Sequence, residues 1–264
     1  MASSSSPLQG LFDIEGQVAL ITGGSRGLGY GMARALGHSG ATVVITARKE
    51  GELQGAVETL RAEGVNVRGI AADVGKADGA AGLVDQVLAE CGHIDVLINN
   101  AGATWGAPAE EYPQQAWQKV VDVNLNGTWA LTQAVAVRSM IPRRSGSIII
   151  VASTAGLFGN GPNSMQTVAY NATKAGQISL ARALAGEWGK YGIRVNSLLP
   201  GWFPTRMTKG TLDHDGEAFA QRVPVGRLGE EADIYGPILF LASSASRYVT
   251  GHMTIVDGGM SAVF

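Results

Sequence analysis

Tyr170 and Lys174 stand four residues apart in a stretch with helical periodicity, so both side chains project from one face. A phenol placed this way can give a proton to a carbonyl-derived oxygen, or take one from it, provided that it can ionise. A free phenol has a pKa near 10, and moving it about three units toward neutrality takes about 4 kcal/mol of preferential stabilisation of the phenolate. A neighbouring ammonium acts in that direction. In isolation the same spacing is common on exposed helix faces, so the pair needs other residues to give it meaning.

Ser153 follows the apolar run "SIIIVA" and so sits where a buried strand ends, at the carboxyl edge of a sheet. Its hydroxyl can donate to a substrate oxygen that gains negative charge. Ser153 and Tyr170 are 17 positions apart, and the loop-like "LFGNGPNSMQT" between them makes Ser164 a rival. Ser153 is preferred because the strand fixes its place. Asn124, in "VVDVNLNGTW", has apolar neighbours and is mildly unfavourable within a helix, so it should have a hydrogen-bond partner.

Near the start, "ITGGSRGLG" supports two readings. Gly23-Gly24-Ser25-Arg26-Gly27 fits G-x-S-x-G, the turn that presents a nucleophilic serine. Gly23, Gly27 and Gly29 equally fit a loop whose backbone N–H groups approach a phosphate. Position favours the cradle: the motif follows the very first strand, where a dinucleotide pyrophosphate sits on a helix N-terminus.

Short β-branched runs alternate with longer helical stretches. Strands are predicted at 18–22, 42–46, 67–71, 96–99, 147–152, 194–199 and 254–257. Helices are predicted at 27–39, 52–63, 80–91, 114–141, 168–191 and 232–243. Strands apolar at nearly every position are buried on both faces, which indicates a parallel sheet. The alternation implies right-handed βαβ units and an α/β fold, a Rossmann-type doubly wound sheet of about seven parallel strands with helices on both faces. One domain over 1–264 is expected, with 1–7 as a frayed tail and 202–227 as an irregular lid loop.

Composition narrows the function. Of 264 residues, 45% are hydrophobic and 16% charged, enough for a large helix-covered core. The 37 glycines, about twice the usual share of ~7%, are scattered and point to tight turns and close packing. Net charge is −2, and the densest basic cluster is only Arg143-Arg144, which argues against nucleic acid. One cysteine, Cys91, excludes an internal disulfide and favours a reducing, cytoplasmic compartment. His38, His93, His214 and His252 lack ligand spacing, so no metal is expected. No secretory pattern opens the chain, and no apolar run approaches the ~20 residues of a membrane helix.

Eight motifs in order carry a family resemblance: "TGGSRGLG", "ADV", "NNAG", "VNLNG", "VASTAG", "YNATK", "RVNSLLPG" and "VDGG". From about Gln17 to Met260 the chain resembles compact short-chain dehydrogenase/reductases, including gluconate 5-dehydrogenase-like and 3-oxoacyl-carrier-protein-reductase-like members. The resemblance implies Asn124, Ser153, Tyr170 and Lys174 as catalytic residues. It further implies that Lys174 bonds the nicotinamide ribose and that Asn124 positions a water relaying protons to Lys174. The cofactor would lie along Gly23, Ser25, Arg26, Gly27, Leu28, Gly29, Asp73, Val74, Asn100, Ala101, Gly102, Pro200, Gly201 and Thr205.

An acid about twenty residues beyond the glycine loop would mark NAD. Here the strand end reads "ITARK", with no acid before Glu50, and Arg48 with Arg26 can bracket a 2′-phosphate. NADP(H) is therefore expected over NAD(H). Trp105, Leu157, Phe158, Trp202 and Phe203 belong to loops expected near the nicotinamide, and Trp105, Phe158 and Trp202 are assigned to the substrate wall. The expected activity is interconversion of a ketone and a secondary alcohol. A sugar acid or polyol and a 3-oxoacyl thioester are the candidate substrates; Gly186 stands where acyl-carrier reductases often carry arginine. A nucleotide-binding regulatory protein without turnover is the alternative. The resemblance also implies a homotetramer built from the long helices and the C-terminal strand.

Overall fold

The computed structural model describes residues 10–76, 79–161 and 165–263; the expected tail at 1–7 and the rival Ser164 lie outside them. Seven strands form one sheet: β1 (Val18–Thr22), β2 (Thr42–Ala47), β3 (Val67–Ala71), β4 (Val96–Asn99), β5 (Gly146–Val151), β6 (Ile193–Pro200) and β7 (Met253–Val256). Their order is β3-β2-β1-β4-β5-β6-β7, and every pairing is parallel. The winding direction reverses between β1 and β4, and in such sheets ligands bind at the carboxyl ends beside that switch point.

Period-two alternation sorts the strand residues onto two helix layers. Ala19, Ile21, Ile149 and Val151 face α1 (Gly27–His38), α2 (Glu50–Ala62) and the last helix. Val18, Leu20, Ile148 and Ile150 face α3 (Gly79–Cys91) and the middle helices. Ile148, Ile149 and Ile150 are wholly inaccessible, and each contributes about 1.5–3 kcal/mol through burial.

The expected 114–141 helix is segmented. It runs through α4 (Gln114–Val121), a π turn (Asp122–Asn126), α5 (Gly127–Val135), a second π turn (Ala136–Met140) and α6 (Ile141–Arg143). The long α7 (Val168–Trp188) then crosses β6 and the end of β5.

The 202–227 stretch is not the irregular loop expected from sequence. It contains α8 (Lys209–Arg222), followed later by α9 (Tyr235–Ala242), which is shorter than the predicted 232–243. Gly210, Gly216 and a weak apolar stripe hid α8, which has no buried residue. Within it Lys209 pairs with Asp213 one turn on at 2.8 Å, and Phe219 stacks on Trp202 with ring centroids 4.3 Å apart.

Candidate active site

The turn from β1 to α1 has no room for side chains at two positions. A Cβ on Gly23 would lie 2.9 Å from the Asn100 amide, in a backbone already at φ +66°. One on Gly29 would lie 2.3 Å from the Gly23 carbonyl. The loop therefore closes on itself and leaves the first N–H groups of α1 facing outward, with no acidic residue in that turn to compete for them.

Above it lies a solvent-open cleft of about 140 Å³ at the switch point of the sheet. Gly23, Ser25, Arg26, Arg48, Asp73, Val74, Ala101 and Gly102 line it, as the sequence predicts, joined by Thr22 and Thr46. Thr46 Oγ1 is buried there without a partner, a polar group suited to a polar ligand. Asp73 Oδ1 accepts from the Gly75 N–H at 3.1 Å. Thr205 leans over Gly27, at 3.5 Å from where its Cβ would be, so the segment after β6 roofs the glycine loop. Gly201 packs on Asp257, where a Cβ would come within 2.6 Å. These features fit a dinucleotide.

Asn100 serves as scaffold for the cleft. Its amide donates to Thr22 O at 2.8 Å and Gly23 O at 3.2 Å, while Thr22 Oγ1 accepts from the Asn100 and Ala101 N–H groups. Thr22 is a site residue that sequence reading missed, because a strand-ending threonine carries no special pattern. At the open end, Arg26 does not stand free. It pairs with Glu52 at 2.5 Å, and Lys49 and Arg206 reach the same carboxylate at 3.0 and 3.5 Å. The Lys49 hydrogen bond and these cations hold the Glu52 carboxyl below its ordinary value. Arg48 lies exposed beside them on the cleft wall. Three cations share one acid, so the corner keeps a positive excess.

The reacting centre assembles from three elements. Ser153 leaves β5 in extended backbone, and its Oγ accepts from Ala155 N at 3.1 Å, which starts a tight turn. The Ser153 side chain comes near enough to the Tyr170 phenol on α7 to favour its ionised form. The long insertion between them is tied back by Asn171, whose amide donates to Ala155 O at 2.9 Å and Phe158 O at 3.1 Å. Ser153 thus meets Tyr170 despite the 17-position separation.

Lys174 lies beneath, with Nζ 5.4 Å from the Tyr170 ring centroid and donating to Val151 O at 2.7 Å and Gln177 Oε1 at 2.9 Å. Asn124 is completely buried in the π turn. Its side chain accepts from Ala103 N at 2.8 Å and donates to Ala103 O at 2.9 Å and Thr173 Oγ1 at 3.0 Å. The partner demanded by a mid-helix asparagine is thus the loop after β4 together with α7. A Cβ on Gly102 would stand 3.8 Å from Lys174 Nζ and 3.6 Å from Asn124 Oδ1, so the cleft opens directly onto this cluster.

Loss of water governs the ionisation here. Burial pushes the Lys174 amine down to about 7. It also holds the Tyr170 phenol above its ordinary value, against the opposing influence of Ser153. In the protein by itself the neighbouring lysine does not bring the phenol down. A dehydrated strand edge disfavours both charges.

The aromatic wall is only partly gathered. Trp105 and Phe158 are exposed on the loops after β4 and β5. Trp202 lines a separate cleft with Val223, Val225 and Asp257, and Phe203 is buried in the core.

Comparison with known proteins matches this architecture. The family model described as enoyl-(acyl carrier protein) reductase matches residues 23–261. The 2-dehydro-3-deoxy-D-gluconate 5-dehydrogenase of Escherichia coli (strain K12) is 38% identical over 252 residues, covering 94% of this chain and 96% of that protein. The 3-oxoacyl-[acyl-carrier-protein] reductase FabG of Chlamydia muridarum is 39% identical over 246 residues, covering 93% and 97% respectively. The crystal structure of a gluconate 5-dehydrogenase from Burkholderia cenocepacia J2315, in complex with NADP and tartrate, superposes with a TM-score of 0.91 at 34% identity. It covers 96% of this chain and 98% of that one.

Proposed function

The chain belongs to the short-chain dehydrogenase/reductase family, and on that premise we propose an NADP(H)-dependent oxidoreductase that interconverts a ketone and a secondary alcohol. The observation that carries this reading is the opening of the glycine-lined cleft onto Lys174 and Asn124 beside the Ser153–Tyr170 pair. When bound, NADP(H) supplies or accepts the hydride. The glycine turn from Gly23 to Gly29 would hold its pyrophosphate on the α1 N-terminus, with Leu28 at the start of that helix. Asp73 and Val74 would bound the adenine, and Ala101, Gly102, Pro200, Gly201 and Thr205 the nicotinamide half.

Ser153 donates to the substrate oxygen and fixes it against Tyr170, which gives its proton during reduction and takes one during oxidation. Lys174 stabilises the phenolate whenever it carries a charge. Asn124 holds the loop after β4 against α7, so the cleft and the reacting centre keep their spacing. Trp105 and Phe158 offer an apolar approach to that centre. Ser25 lines the cradle as part of its backbone turn and has no nucleophilic role.

Arg48 and the Arg26 corner select the cofactor. A hydrogen bond to a charged group is worth about 1.5–3 kcal/mol, so Arg48→Asp weakens NADP(H) binding about 10- to 100-fold and leaves NAD(H) binding nearly unchanged. Fluorescence titration with both cofactors checks this, and unaltered NADP(H) affinity rejects the phosphate assignment. For the reaction, the wild-type protein is given ketones of the sugar-acid, polyol and 3-oxoacyl thioester classes with NADPH and with NADH. Steady loss of reduced-nicotinamide absorbance with NADPH is the expected result. No turnover across the panel would leave the non-enzymatic, nucleotide-binding alternative.

A homotetramer is part of the proposal. Trp129 on α5 and Val137 in the second π turn are exposed apolar groups on the long helical segment, and Ile255 is another on the edge strand β7. Two separate exposed apolar faces suit a closed assembly with dihedral symmetry. Cytoplasmic placement is supported by the single cysteine, Cys91, which is free.

A further inference from the structure

At the mouth of the cleft one carboxylate ties together three parts of the chain. Glu52 stands in the first turn of α2 and lines the cleft wall. Its Oε2 accepts from Arg26, in the glycine loop, at 2.5 Å. Its Oε1 accepts from Lys49 Nζ at 3.0 Å and from Arg206 at 3.5 Å. Arg206 follows Thr205, the residue that leans over Gly27, and so belongs to the roof of the cleft. Arg48, exposed on the same wall, has no anionic partner among the described residues. Asp73, the other acid lining the cleft, accepts from the Gly75 N–H instead.

A carboxylate that divides its two oxygens between two guanidiniums engages the donors that two oxygens of a phosphate monoester would engage. It does so with one negative charge, where the phosphate carries about 1.5 to 2 at neutral pH. We propose that Glu52 is an internal stand-in for the 2′-phosphate of NADP(H), and that Arg206 becomes a phosphate ligand when the cofactor displaces it. This rests on the reading of the cleft as an NADP(H) site. Arg48 is free to meet the phosphate first, and Arg26, Lys49 and Arg206 then exchange one anion for another. Glu52 is thus a specificity-determining residue that acts by competition: it withholds the guanidiniums and repels the phosphate. NAD(H), with a hydroxyl in that place, leaves the ion pairs as they are. Because Arg26 comes from the glycine loop and Arg206 from the roof, the phosphate joins the two sides of the cleft mouth. Were Glu52 only a brace that keeps the arginines in place, its loss would weaken the hold on the phosphate. The sign of one substitution therefore separates the two roles.

The test is Glu52→Gln, which keeps the length of the side chain and removes its charge. Glu52 is partly exposed and outside the apolar core, so the variant keeps the fold. Affinities for NADPH and NADH are measured by fluorescence titration, which requires no substrate and no turnover. Exposed ion pairs are worth only a few-fold each, so Glu52→Gln raises the ratio of NADPH to NADH affinity by about 3- to 10-fold. Arg206→Gln lowers the same ratio by about 3- to 10-fold, chiefly through weaker NADPH binding. An unchanged or lowered ratio in Glu52→Gln overturns the stand-in, and an unchanged ratio in Arg206→Gln overturns the roof ligand. A wild-type protein that binds neither cofactor would reject the reading of the cleft itself. Wild-type NADPH binding with an unmoved ratio in both variants would reject only the competition and leave that reading intact.

Discussion

Tyr170→Phe lowers kcat/KM for ketone reduction by about 10³-fold, within the usual contribution of a positioned acid or base. The substitution removes one oxygen and preserves the ring, which sits with its centroid 5.4 Å from Lys174 Nζ. Cleft shape and NADPH affinity should therefore survive, and the loss should fall on kcat. Ionisation gives the pH dependence. Burial raises the phenol above its ordinary value, so the protonated form dominates at neutral pH and suits reduction. Reduction is thus sustained at neutral pH and declines as pH rises through the Tyr170 pKa of the working complex. Oxidation, which requires phenolate, climbs over the same range. Paired pH profiles in the two directions check this. Parallel profiles, or a Phe variant within tenfold of wild type, would remove Tyr170 from the acid/base role.

Lys174→Met carries the second large effect, on activity and on stability together. Activity falls about 10²- to 10⁴-fold, because the phenolate loses the neighbouring Lys174 ammonium. Stability shifts in a way that identifies the cause. The Lys174 amine titrates near 7 when folded but near 10.5 when exposed, so between those values the unfolded chain binds more protons than the native one. Native stability must therefore rise with pH across that window, each unit being worth about 1.4 kcal/mol for a fully expressed shift. Above about pH 10 the raised tyrosines Tyr30, Tyr112, Tyr170 and Tyr235 act in the opposite sense, so the window to use is pH 7 to 9.5. Urea unfolding of wild type shows the rise, and Lys174→Met lacks it. Equal slopes in the two proteins would mean that the amine remains charged when folded. The cost of the lysine is borne by the whole fold, as is usual for functional groups placed in dry surroundings.

Some of this was legible along the chain, because it depends on neighbours in sequence. Apolar strand runs such as "SIIIVA" report burial on both faces, and all seven strands fell where that pattern placed them, within a residue or two. The glycine turn was readable because Gly23 and Gly29 leave no space for a Cβ, a constraint met within a few residues. Tyr170 and Lys174 were readable because four residues of helix set their relative position. The helix of 209–222 was not, since its glycines weaken local preference and its support comes from Trp202 stacking on Phe219.

Contacts between distant segments required the folded chain. Spacing alone left Ser153 and Ser164 as rivals; Ser164 lies outside the described residues, and Ser153 comes beside Tyr170 with Asn171 pinning the loop that follows it. Arg26 could be placed in the cradle from its motif, but its pairing with Glu52 joins two helices. Gln177 has no motif at all; its amide finds a partner because a π turn presents the Asn124 carbonyl, 53 residues earlier. Local geometry determines which residue types can share a face or turn, and sequence records that directly. Which buried polar groups satisfy one another is decided only when the layers pack, because each must find its partner once water is gone.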